Sequence, residues 1–387
     1  MKPKVLISTF TFPPASNGVA NAVYVHAKIM KEIGCEVDIA TSGDVVSQDK
    51  QDGLSIRRFP ISGKGHLLSP HRGAIKELHT FLDKNRWDIV FMHCWQAWST
   101  NCLLDYFESS PRTEKLILVS HGISTNTNIH PFPLNWIRYL LWLPYRHFTV
   151  PRYLRLLTDL VILWDHYDTD RYLDHVLARR IGTPIKVIPN AARYDSLKVK
   201  RPSLRFADEE LAGGVILSVG NYSASKNELL VLEAYRKSGM TDIPLIFVGP
   251  RLNRYATMLQ KSTRHWNLHN VQFLEHLTKE EIDWLYKHAV VFLFGSKTEC
   301  QPMVILDCLA SGTPYLSTDV GCVKCLAREN IVSSVEEMAF QLKTLLQNPA
   351  QRAEQVRQGL CLYEKEFSLS SVRDKWKDLL MQLLPPR

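Results

Sequence analysis

Residues 290–318, VVFLFGSKTECQPMVILDCLASGTPYLST, contain the clearest structural pattern in the chain. The apolar run 290–294 predicts a buried strand, and the helix that follows the next loop is expected to end at Gly312. A second buried strand is predicted at 315–318, after Pro314. A strand, a loop, a helix and a strand in this order form the repeating unit of a parallel sheet covered by helices.

The same alternation of strand and helix extends over the whole chain. Further strands are predicted at 4–9, 36–41, 88–94, 115–120, 159–164, 186–189, 214–219, 244–248 and 271–274. We therefore expect an α/β protein with two doubly wound, Rossmann-like parallel-sheet domains that face a central cleft. A polar join near 191–213 separates them, and the expected domains are 1–195 and 196–387. The last helix, about 368–384, is expected to cross back to the first domain.

The composition is that of a globular protein, with 387 residues, 45% hydrophobic residues and a net charge of +8. The positive charge favours anionic partners such as phosphates or a membrane surface, and nucleic acid is not an expected partner because its binding motifs do not occur. The cysteine spacing fits neither a disulfide framework nor a zinc site. The N-terminus does not resemble a signal peptide, and an apolar run of spanning length is absent. These features favour a cytoplasmic protein.

Two acidic residues in the segment 290–318 have the spacing of a ligand site. Glu299 lies in the predicted strand-to-helix loop, and Asp307 lies eight residues later on the helix. The helix N-terminus offers backbone N–H groups to a phosphate, and the two carboxylates can accept hydrogen bonds from sugar and ribose hydroxyls beside it. The alternative is an exposed loop glutamate and a solvated helix aspartate.

This segment resembles the E-x7-E region of the family 4 retaining glycosyltransferases, part of the glycosyl transferases group 1, which have the GT-B fold. The resemblance implies that Glu299 holds the transferred sugar and that Asp307 holds the nucleotide ribose. It also implies donor-binding roles for the residues between them, which are Cys300, Gln301, Pro302, Met303 and Val304. The sequence departs from the family where aspartate replaces the second glutamate and where Cys300-Gln301-Pro302 replaces a small residue followed by Phe-Gly.

A second cluster, GNYSASK at 220–226, follows the strand predicted at 214–219. A glycine turn followed by a basic residue at a helix start can bind a diphosphate. By resemblance, Gly220, Asn221 and Lys226 bind the donor, and Lys226 also stabilises the leaving diphosphate. Asn221 stands where the family has arginine, so a neutral group replaces a guanidinium there. A solvated lysine at a helix start is the alternative interpretation.

Two loops in the first half also match family positions. Asn17 and Gly18 lie in the loop FPPASNG at 12–18, which resembles the family's N-terminal glycine loop and is implied to approach the donor. His121 lies in Ser-His-Gly at a predicted strand end, where the family places a histidine near the reacting sugar, so His121 is a candidate catalytic residue with Glu299 and Lys226. A structural histidine is the alternative.

Residues 130–158 have the composition of a membrane-surface segment. They contain four arginines, no Asp, Glu or Lys, and seven aromatic residues. Arginines beside Trp and Tyr suit a lipid headgroup interface, and Pro144 and Pro151 are expected to break the segment into shorter helices. A helix packed on the sheet is the equally favoured alternative.

Together, the resemblance implies a glycosyltransferase that moves a sugar from a nucleotide-diphosphate sugar, most simply a UDP-sugar, to a glycan or lipid-linked acceptor. It further implies retention of the anomeric configuration and a role in cell-surface polysaccharide or glycolipid biosynthesis. The composition of residues 130–158 adds the expectation of a peripheral position on the inner face of the plasma membrane. No metal and no other cofactor are expected, because the phosphate charge is assigned to Lys226 and a helix N-terminus. The alternative is a catalytically impaired GT-B protein that binds nucleotide sugars or acts as a scaffold, which Asn221 and the altered 300–302 loop favour.

Overall fold

The computed structural model describes residues 2–15, 17–63, 65, 69–123, 134–165 and 173–384. The chain divides into two compact units, the first made of Met1–Asn190 with Leu369–Arg387 and the second of Ala191–Ser368. The sequence predicts the boundary at 195/196, and the structure places it at 190/191. The last helix belongs to the first unit.

Ten strands lie in the described part of the first unit and six in the second. The first ten are β1 (Lys4–Ser8), β2 (Glu36–Ser42), β3 (Ser47–Gln51), β4 (Leu54–Phe59), β5 (Ile61–Ser62), β6 (Arg72–Gly73), β7 (Ile89–His93), β8 (Lys115–Ser120), β9 (Asp159–Ile162) and β10 (Ile185–Val187). The other six are β11 (Val215–Val219), β12 (Leu245–Gly249), β13 (Val271–Glu275), β14 (Ala289–Phe294), β15 (Tyr315–Thr318) and β16 (Ile331–Val332).

Helices separate most of these strands. In the first unit they are α1 (Gly18–Glu32), α2 (Ile75–Lys84), α3 (Trp98–Ser109), α4 (Leu134–Pro144), α5 (Val150–Leu154) and α6 (Asp174–Ile181). The second unit contains α7 (Asp208–Leu211), α8 (Glu228–Ser238), α9 (Arg254–His265), α10 (Lys279–His288), α11 (Met303–Ser311), α12 (Val323–Leu326), α13 (Val335–Gln347) and α14 (Pro349–Leu362). The final helix, α15 (Leu369–Leu383), returns to the first unit. Among the described residues, no helix combines the length and the apolarity needed to cross a bilayer.

The sheet of the first unit has the strand order β10-β9-β8-β7-β1-β2-β4-β3. Its strands run parallel, except that β3 pairs antiparallel with β4. The central strands β1 and β7 are apolar and buried along almost their whole length, as expected when helices cover both faces of a parallel sheet. The carboxyl ends of β1, β7 and β8 therefore lie side by side at one edge.

The sheet of the second unit has the order β13-β12-β11-β14-β15-β16. All of its recorded strand pairs are parallel. Strands β11 and β14 are neighbours, so the loops that follow them emerge at the same edge. The residues predicted to bind the donor lie in these two loops. The predicted α/β fold with doubly wound parallel sheets is thus present in both units.

Helix starts follow the chemistry of their first residues. Thr278 and Glu281 form a capping box at the start of α10, with the Thr278 hydroxyl accepting from the Glu281 N–H and the Glu281 carboxylate accepting from the Thr278 N–H. Ser334 and Glu337 have the same spacing at the start of α13, but only half of such a box forms. The Ser334 hydroxyl caps α13, but the Glu337 carboxylate accepts from the Ser333 N–H instead.

Two features of the first unit differ from the sequence prediction. The strands β3 and β4 were missed because β3 is polar and mostly exposed, and because their pairing depends on β2, which lies beside β4. Pro144 does not break the helical segment. It stays in the right-handed helical conformation (φ −61°, ψ −43°), and five π-helical residues, Tyr145–Thr149, connect α4 to α5. A π-helical turn accommodates the missing proline N–H by changing the hydrogen-bond pattern.

Candidate active site

Glu299 lies in the loop between β14 and α11, as predicted. One oxygen of its carboxylate accepts a hydrogen bond from Ser296 Oγ at 3.0 Å and also forms an ion pair with Lys226 Nζ. The Glu299 side chain is 15% exposed and the Lys226 side chain 28% exposed, so both retain access to a ligand. Two residues predicted from separate loops are therefore in direct contact.

Backbone contacts join the loop after β11 to the loop after β14. The Ser225 carbonyl accepts hydrogen bonds from the Lys297 N–H at 2.8 Å and from Ser296 Oγ at 3.3 Å. Gly295 allows this approach, because a Cβ atom at that position would lie 2.8 Å from the carbonyl oxygen of Asn227. The contact between the two loops is thus built into the backbone and does not depend on the ion pair alone.

The residues between Glu299 and α11 are held from the other side by the loop after β15. The Cys300 carbonyl accepts a hydrogen bond from the Cys322 N–H at 2.9 Å. Gly321 has a φ of +54°, and a Cβ atom there would lie 2.0 Å from the Cys300 carbonyl oxygen, so glycine is required. Gln301 is buried, and its side chain hydrogen-bonds the Cys322 thiol. Gln301 therefore has a structural partner in addition to its predicted donor contact.

The N-terminus of α11 points toward the same loop. Pro302 precedes the helix, and Met303 and Val304 are its first two residues. Their amides have no carbonyl partner within a helix, and the helix dipole adds partial positive charge at this end. The second unit therefore brings together the Glu299 carboxylate, the Lys226 ammonium group and the amides at the start of α11.

Asp307 occupies a different environment from the one predicted. Its carboxylate is 4% exposed and binds Arg193 through both oxygens, one accepting from the Arg193 N–H at 2.8 Å and the other from Nη2 at 3.0 Å. Ribose hydroxyls would have to share these oxygens with a guanidinium. The ribose-binding role of Asp307 stays a prediction, and the structure adds a second role in which Asp307 fixes the chain at Arg193.

Glu228, a buried acid at the first position of α8, lies beside the glycine turn after β11 and was not predicted as a site residue. A Cβ atom on Gly220 would lie 3.7 Å from Lys226 Cγ and 4.0 Å from Glu228 Oε1, so both side chains adjoin the turn. Burial raises the pKa of Glu228 to about 7, and the Ser223 N–H donates to its other oxygen at 3.4 Å. Asn221 is exposed at the mouth of the turn. An acid two residues after Lys226, at a helix start, was the available sequence signal for Glu228.

In the first unit, Asn17 and Gly18 form the start of α1. The Asn17 Oδ1 accepts from the Ala20 N–H at 2.9 Å and Nδ2 donates to Thr11 Oγ1 at 2.9 Å, so Asn17 is the N-cap of the helix. A Cβ atom on Gly18 would meet no described atom within 4 Å, which leaves its backbone accessible. The donor-binding roles of both residues stay predictions.

His121 follows β8 directly, at the carboxyl edge of the first sheet. Its Nε2 lies 3.2 Å from Nδ1 of His93, and burial lowers the pKa of His121 to about 4. The imidazole is therefore neutral at pH 7, as a hydrogen-bonding group rather than a cation.

The described residues contain no group of three or more His, Cys, Asp or Glu side chains that could hold a metal ion. The eight cysteines all lie in the described part of the chain and form no disulfide. Among the candidate site residues, Lys226 supplies the positive charge that pairs with Glu299.

Residues 202–359 match the family Glycosyl transferases group 1, and this match includes Lys226, Glu299 and Asp307. The match assigns this segment, which is less than half of the chain, to a family of glycosyltransferases. A comparison with curated proteins finds no match.

Solved structures share the fold of this chain over nearly its whole length. Sucrose-phosphate synthase from Thermosynechococcus elongatus is 15% identical, with a TM-score of 0.71 and 99% of each chain covered. HepE from Anabaena in complex with UDP is also 15% identical, with a TM-score of 0.71, covering 99% of this chain and 100% of that one. A UDP-forming trehalose-phosphate synthase from Burkholderia xenovorans is 13% identical, with a TM-score of 0.71 and 100% of both chains covered. These similarities confirm the GT-B fold.

The arrangement of the candidate site could be predicted only partly from the sequence. The pairing of Lys226 with Glu299 brings two predicted residues together. Arg193 was missed because it lies in the polar join and has no motif around it, yet it neutralises Asp307.

Proposed function

We propose that this glycosyltransferase moves a sugar from a nucleotide-diphosphate donor, with Glu299 on the sugar and Lys226 on the diphosphate. The observation that carries the proposal is the contact between these two side chains at the carboxyl ends of the neighbouring strands β11 and β14. Ligands of open parallel sheets bind at this edge. In the structure the Lys226 ammonium and the Glu299 carboxylate neutralise each other. A bound donor would divide them, with phosphate at Lys226 and sugar hydroxyls at Glu299.

A UDP-sugar is our first choice of donor. HepE is described in complex with UDP and the Burkholderia synthase as UDP-forming, and these names support the same nucleotide for this chain. Turnover of UDP-sugars, followed as release of UDP, tests the proposal directly.

We further propose that the transfer retains the anomeric configuration. The acceptor oxygen forms a bond to the anomeric carbon on the face from which the diphosphate leaves, and the bond from that carbon to the phosphate oxygen breaks. The proton of the acceptor hydroxyl passes to the departing phosphate, so no side-chain base is required. Lys226 and the amides at the start of α11 stabilise the charge that develops on the leaving group.

Charge neutralisation by Lys226 and a helix N-terminus implies turnover without a divalent ion. We expect activity on the donor to survive an excess of EDTA, measured as UDP release before and after dialysis against the chelator. Inactivation by EDTA that added Mg²⁺ or Mn²⁺ reverses would contradict this part of the proposal.

Replacing Lys226 with alanine is expected to weaken UDP binding about tenfold while leaving uridine binding nearly unchanged, because its charge meets phosphate rather than base. Isothermal titration calorimetry with both ligands measures the difference. The matched control is Lys237→Ala, since Lys237 also pairs with a glutamate, Glu336, but at the opposite end of α8. Equal losses for UDP and uridine in Lys226→Ala would contradict a phosphate role.

A second candidate function is binding of nucleotide sugars without catalysis. Asn221 favours it, because this exposed side chain has no charge where the family has arginine. The two candidates differ in one outcome: a binding protein is stabilised by UDP-sugars but releases no UDP from them.

We propose that the acceptor is a glycan or a lipid-linked molecule at the cytoplasmic face of the plasma membrane, in the synthesis of cell-surface polysaccharide or glycolipid. The support is an apolar surface on α4 and the residues after it. Its large apolar side chains are exposed by 37–76%, and they are Trp136, Ile137, Tyr139, Leu140 and Phe148. The segment 130–158 carries no acidic residue, so the surface complements anionic lipid.

Several residues of the segment 130–158 pack inside the first unit and do not belong to the proposed membrane surface. Tyr145 and Tyr153 are buried, Trp142 packs edge-on against Tyr145, and Arg152 forms ion pairs with Asp105 and Glu108 of α3. These residues belong to the packing of the first unit. Phe132 lies outside the described residues, as does the side chain of Arg138.

The protein is expected to sediment with anionic vesicles at low salt and to be released by high salt, because neither the arginines nor the exposed aromatics approach a spanning helix in affinity. Trp136→Ala/Phe148→Ala should remove most of this binding. Phe340→Ala is the matched control, since Phe340 is 71% exposed but lies in the second unit. If the parent protein does not sediment with vesicles of phosphatidylserine and phosphatidylcholine at low salt, a soluble acceptor is favoured instead.

A further inference from the structure

Three histidines form a continuous hydrogen-bonded chain in the first unit. His26 lies on α1, His93 is the last residue of β7 and His121 follows β8. Nδ1 of His26 lies 2.9 Å from Nε2 of His93, and Nδ1 of His93 lies 3.2 Å from Nε2 of His121. Each contact joins Nδ1 of one ring to Nε2 of the next. The chain therefore leaves two ring nitrogens over, Nε2 of His26 and Nδ1 of His121.

The inner end of this chain is enclosed. His26 and His93 are 4% and 2% exposed, and the ring of His26 stacks on Trp376 of α15 at 4.0 Å with an interplanar angle of 18°. Burial lowers the pKa of His26 to about 3 and holds the pKa of His93 well below its usual range, with further lowering from the neighbouring histidines. All three rings are thus neutral at pH 7, and each carries one N–H and one bare nitrogen.

A chain of neutral imidazoles has two orientations. Either every ring carries its proton on Nδ1 and donates toward His121, or every ring carries it on Nε2 and donates toward His26. Both orientations satisfy the two internal hydrogen bonds, so the choice depends on the two ends.

The buried end decides between them. Nε2 of His26 is buried and has no hydrogen-bond partner among the described residues. With protons on Nε2, an N–H would be buried there without an acceptor, and orphaned buried N–H donors are rarer in proteins than under-used acceptors. With protons on Nδ1, the same position holds a bare nitrogen beside apolar rings. The second arrangement avoids the orphaned donor.

We propose that His93, backed by His26, is a positioning residue that fixes His121 in the tautomer with its proton on Nδ1. His121 then presents an N–H donor, rather than a lone pair, to an oxygen atom of the substrate. The identity of the substrate rests on the proposed function, but the tautomer does not, because the protein interior alone sets it.

The experiment measures the tautomer in the full chain without any ligand. The protein is labelled with ¹⁵N-histidine, and long-range ¹H–¹⁵N correlation spectra distinguish protonated from bare ring nitrogens. His121, His93 and His26 are assigned by the loss of their signals in single variants. We expect protonated Nδ1 and bare Nε2 for all three rings at pH 7. A proton on Nε2 of His121 in the parent protein overturns the proposal, whatever the enzyme does with nucleotide sugars.

Two substitutions of His93 then separate positioning from packing. His93→Phe keeps a ring but removes both hydrogen bonds, so the Nδ1 proton of His121 should no longer be fixed and an Nε2–H signal should appear. His93→Asn keeps an amide N–H near the place of Nδ1 and should restore the parent pattern at His121. His79→Phe is the control, because His79 lies in the same unit but outside the hydrogen-bonded chain of three histidines. It should leave the ring nitrogen signals of His121 unchanged. A His121 signal that is identical in the parent and in folded His93→Phe contradicts a positioning role.

A kinetic readout follows where a donor is turned over. His93→Phe should lower kcat about tenfold with little change in the donor KM, and His93→Asn should recover most of that loss, as expected for one neutral hydrogen bond made in the transition state. A rise in KM at unchanged kcat would show that the histidine chain contributes to ground-state binding of the donor. That result would contradict a hydrogen bond from His121 that forms in the transition state.

Discussion

Glu299→Gln is expected to lower turnover of the donor sugar by roughly tenfold to a hundredfold, because it replaces a charged acceptor of sugar hydroxyl hydrogen bonds with a neutral one of the same shape. The substitution also removes the partner of Lys226. Since the Lys226 side chain is 28% exposed, its ammonium can turn toward water, and the fold should remain intact. Steady-state rates of UDP release, with circular dichroism as the check on folding, measure both effects.

The matched control for this change is Glu336→Gln. Glu336 also forms an ion pair with a lysine of α8, Lys237, but that lysine is in the last turn of the helix, away from the glycine turn. Turnover by this variant should equal that of the parent. Unchanged turnover in Glu299→Gln on a donor that the parent uses would remove Glu299 from the reacting sugar.

Arg193→Ala is expected to destabilise the second unit by about 3 kcal/mol, because it leaves the Asp307 carboxylate buried without its charged partner. The Asp307 side chain is 4% exposed, while that of Arg193 is 25% exposed, so the unpaired acid is the larger cost. Native-state hydrogen exchange of amides in β11 and β12 measures this loss, since these buried strands report the unfolding of their own unit.

A second substitution separates the buried charge from general packing. Arg193→Ala/Asp307→Asn removes the unpaired charge and should recover part of the lost stability, giving a clear coupling between the two sites. Arg357→Ala breaks an exposed pair with Glu354 in the same unit and should change the exchange rates little. Additive losses in the Arg193 and Asp307 variants would show that the ion pair does not hold this part of the chain.

Strands that are apolar over their full length were predictable because burial on both faces leaves little choice of residue. The strand 290–294 was predicted nearly at its observed bounds, Ala289–Phe294, and 115–120 coincides with β8. Capping chemistry was equally local, as Thr278 and Glu281 show. In contrast, β3 is polar and exists through its pairing with β4, which a single stretch of sequence does not reveal.

The site was predictable where its residues belong to loops with local patterns, and less so where distant chain segments meet. Lys226 and Glu299 were found because each lies between an apolar strand and a helix. Asp307 was placed on the correct helix, but its contact with Arg193 joins positions 114 residues apart and has no local signature. The same holds for the histidine chain, in which His26 and His93 are 67 residues apart. Tertiary packing decides such contacts, because buried polar groups form hydrogen bonds with whichever partners the fold brings close to them.

We propose that Lys226 and Glu299 form the donor site of an active glycosyltransferase. The most direct measurement incubates the parent, Lys226→Ala and Glu299→Gln with UDP-, GDP- and ADP-sugars, follows release of the nucleoside diphosphate, and records thermal stabilisation by each donor in parallel. We expect a UDP-sugar to stabilise the parent protein and to release UDP. Lys226→Ala should lose much of the stabilisation, and Glu299→Gln should keep the fold but lose most of the UDP release. The proposal is contradicted if no nucleotide sugar stabilises the parent protein and none releases a nucleoside diphosphate. Stabilisation without release would contradict catalysis and support the binding protein instead.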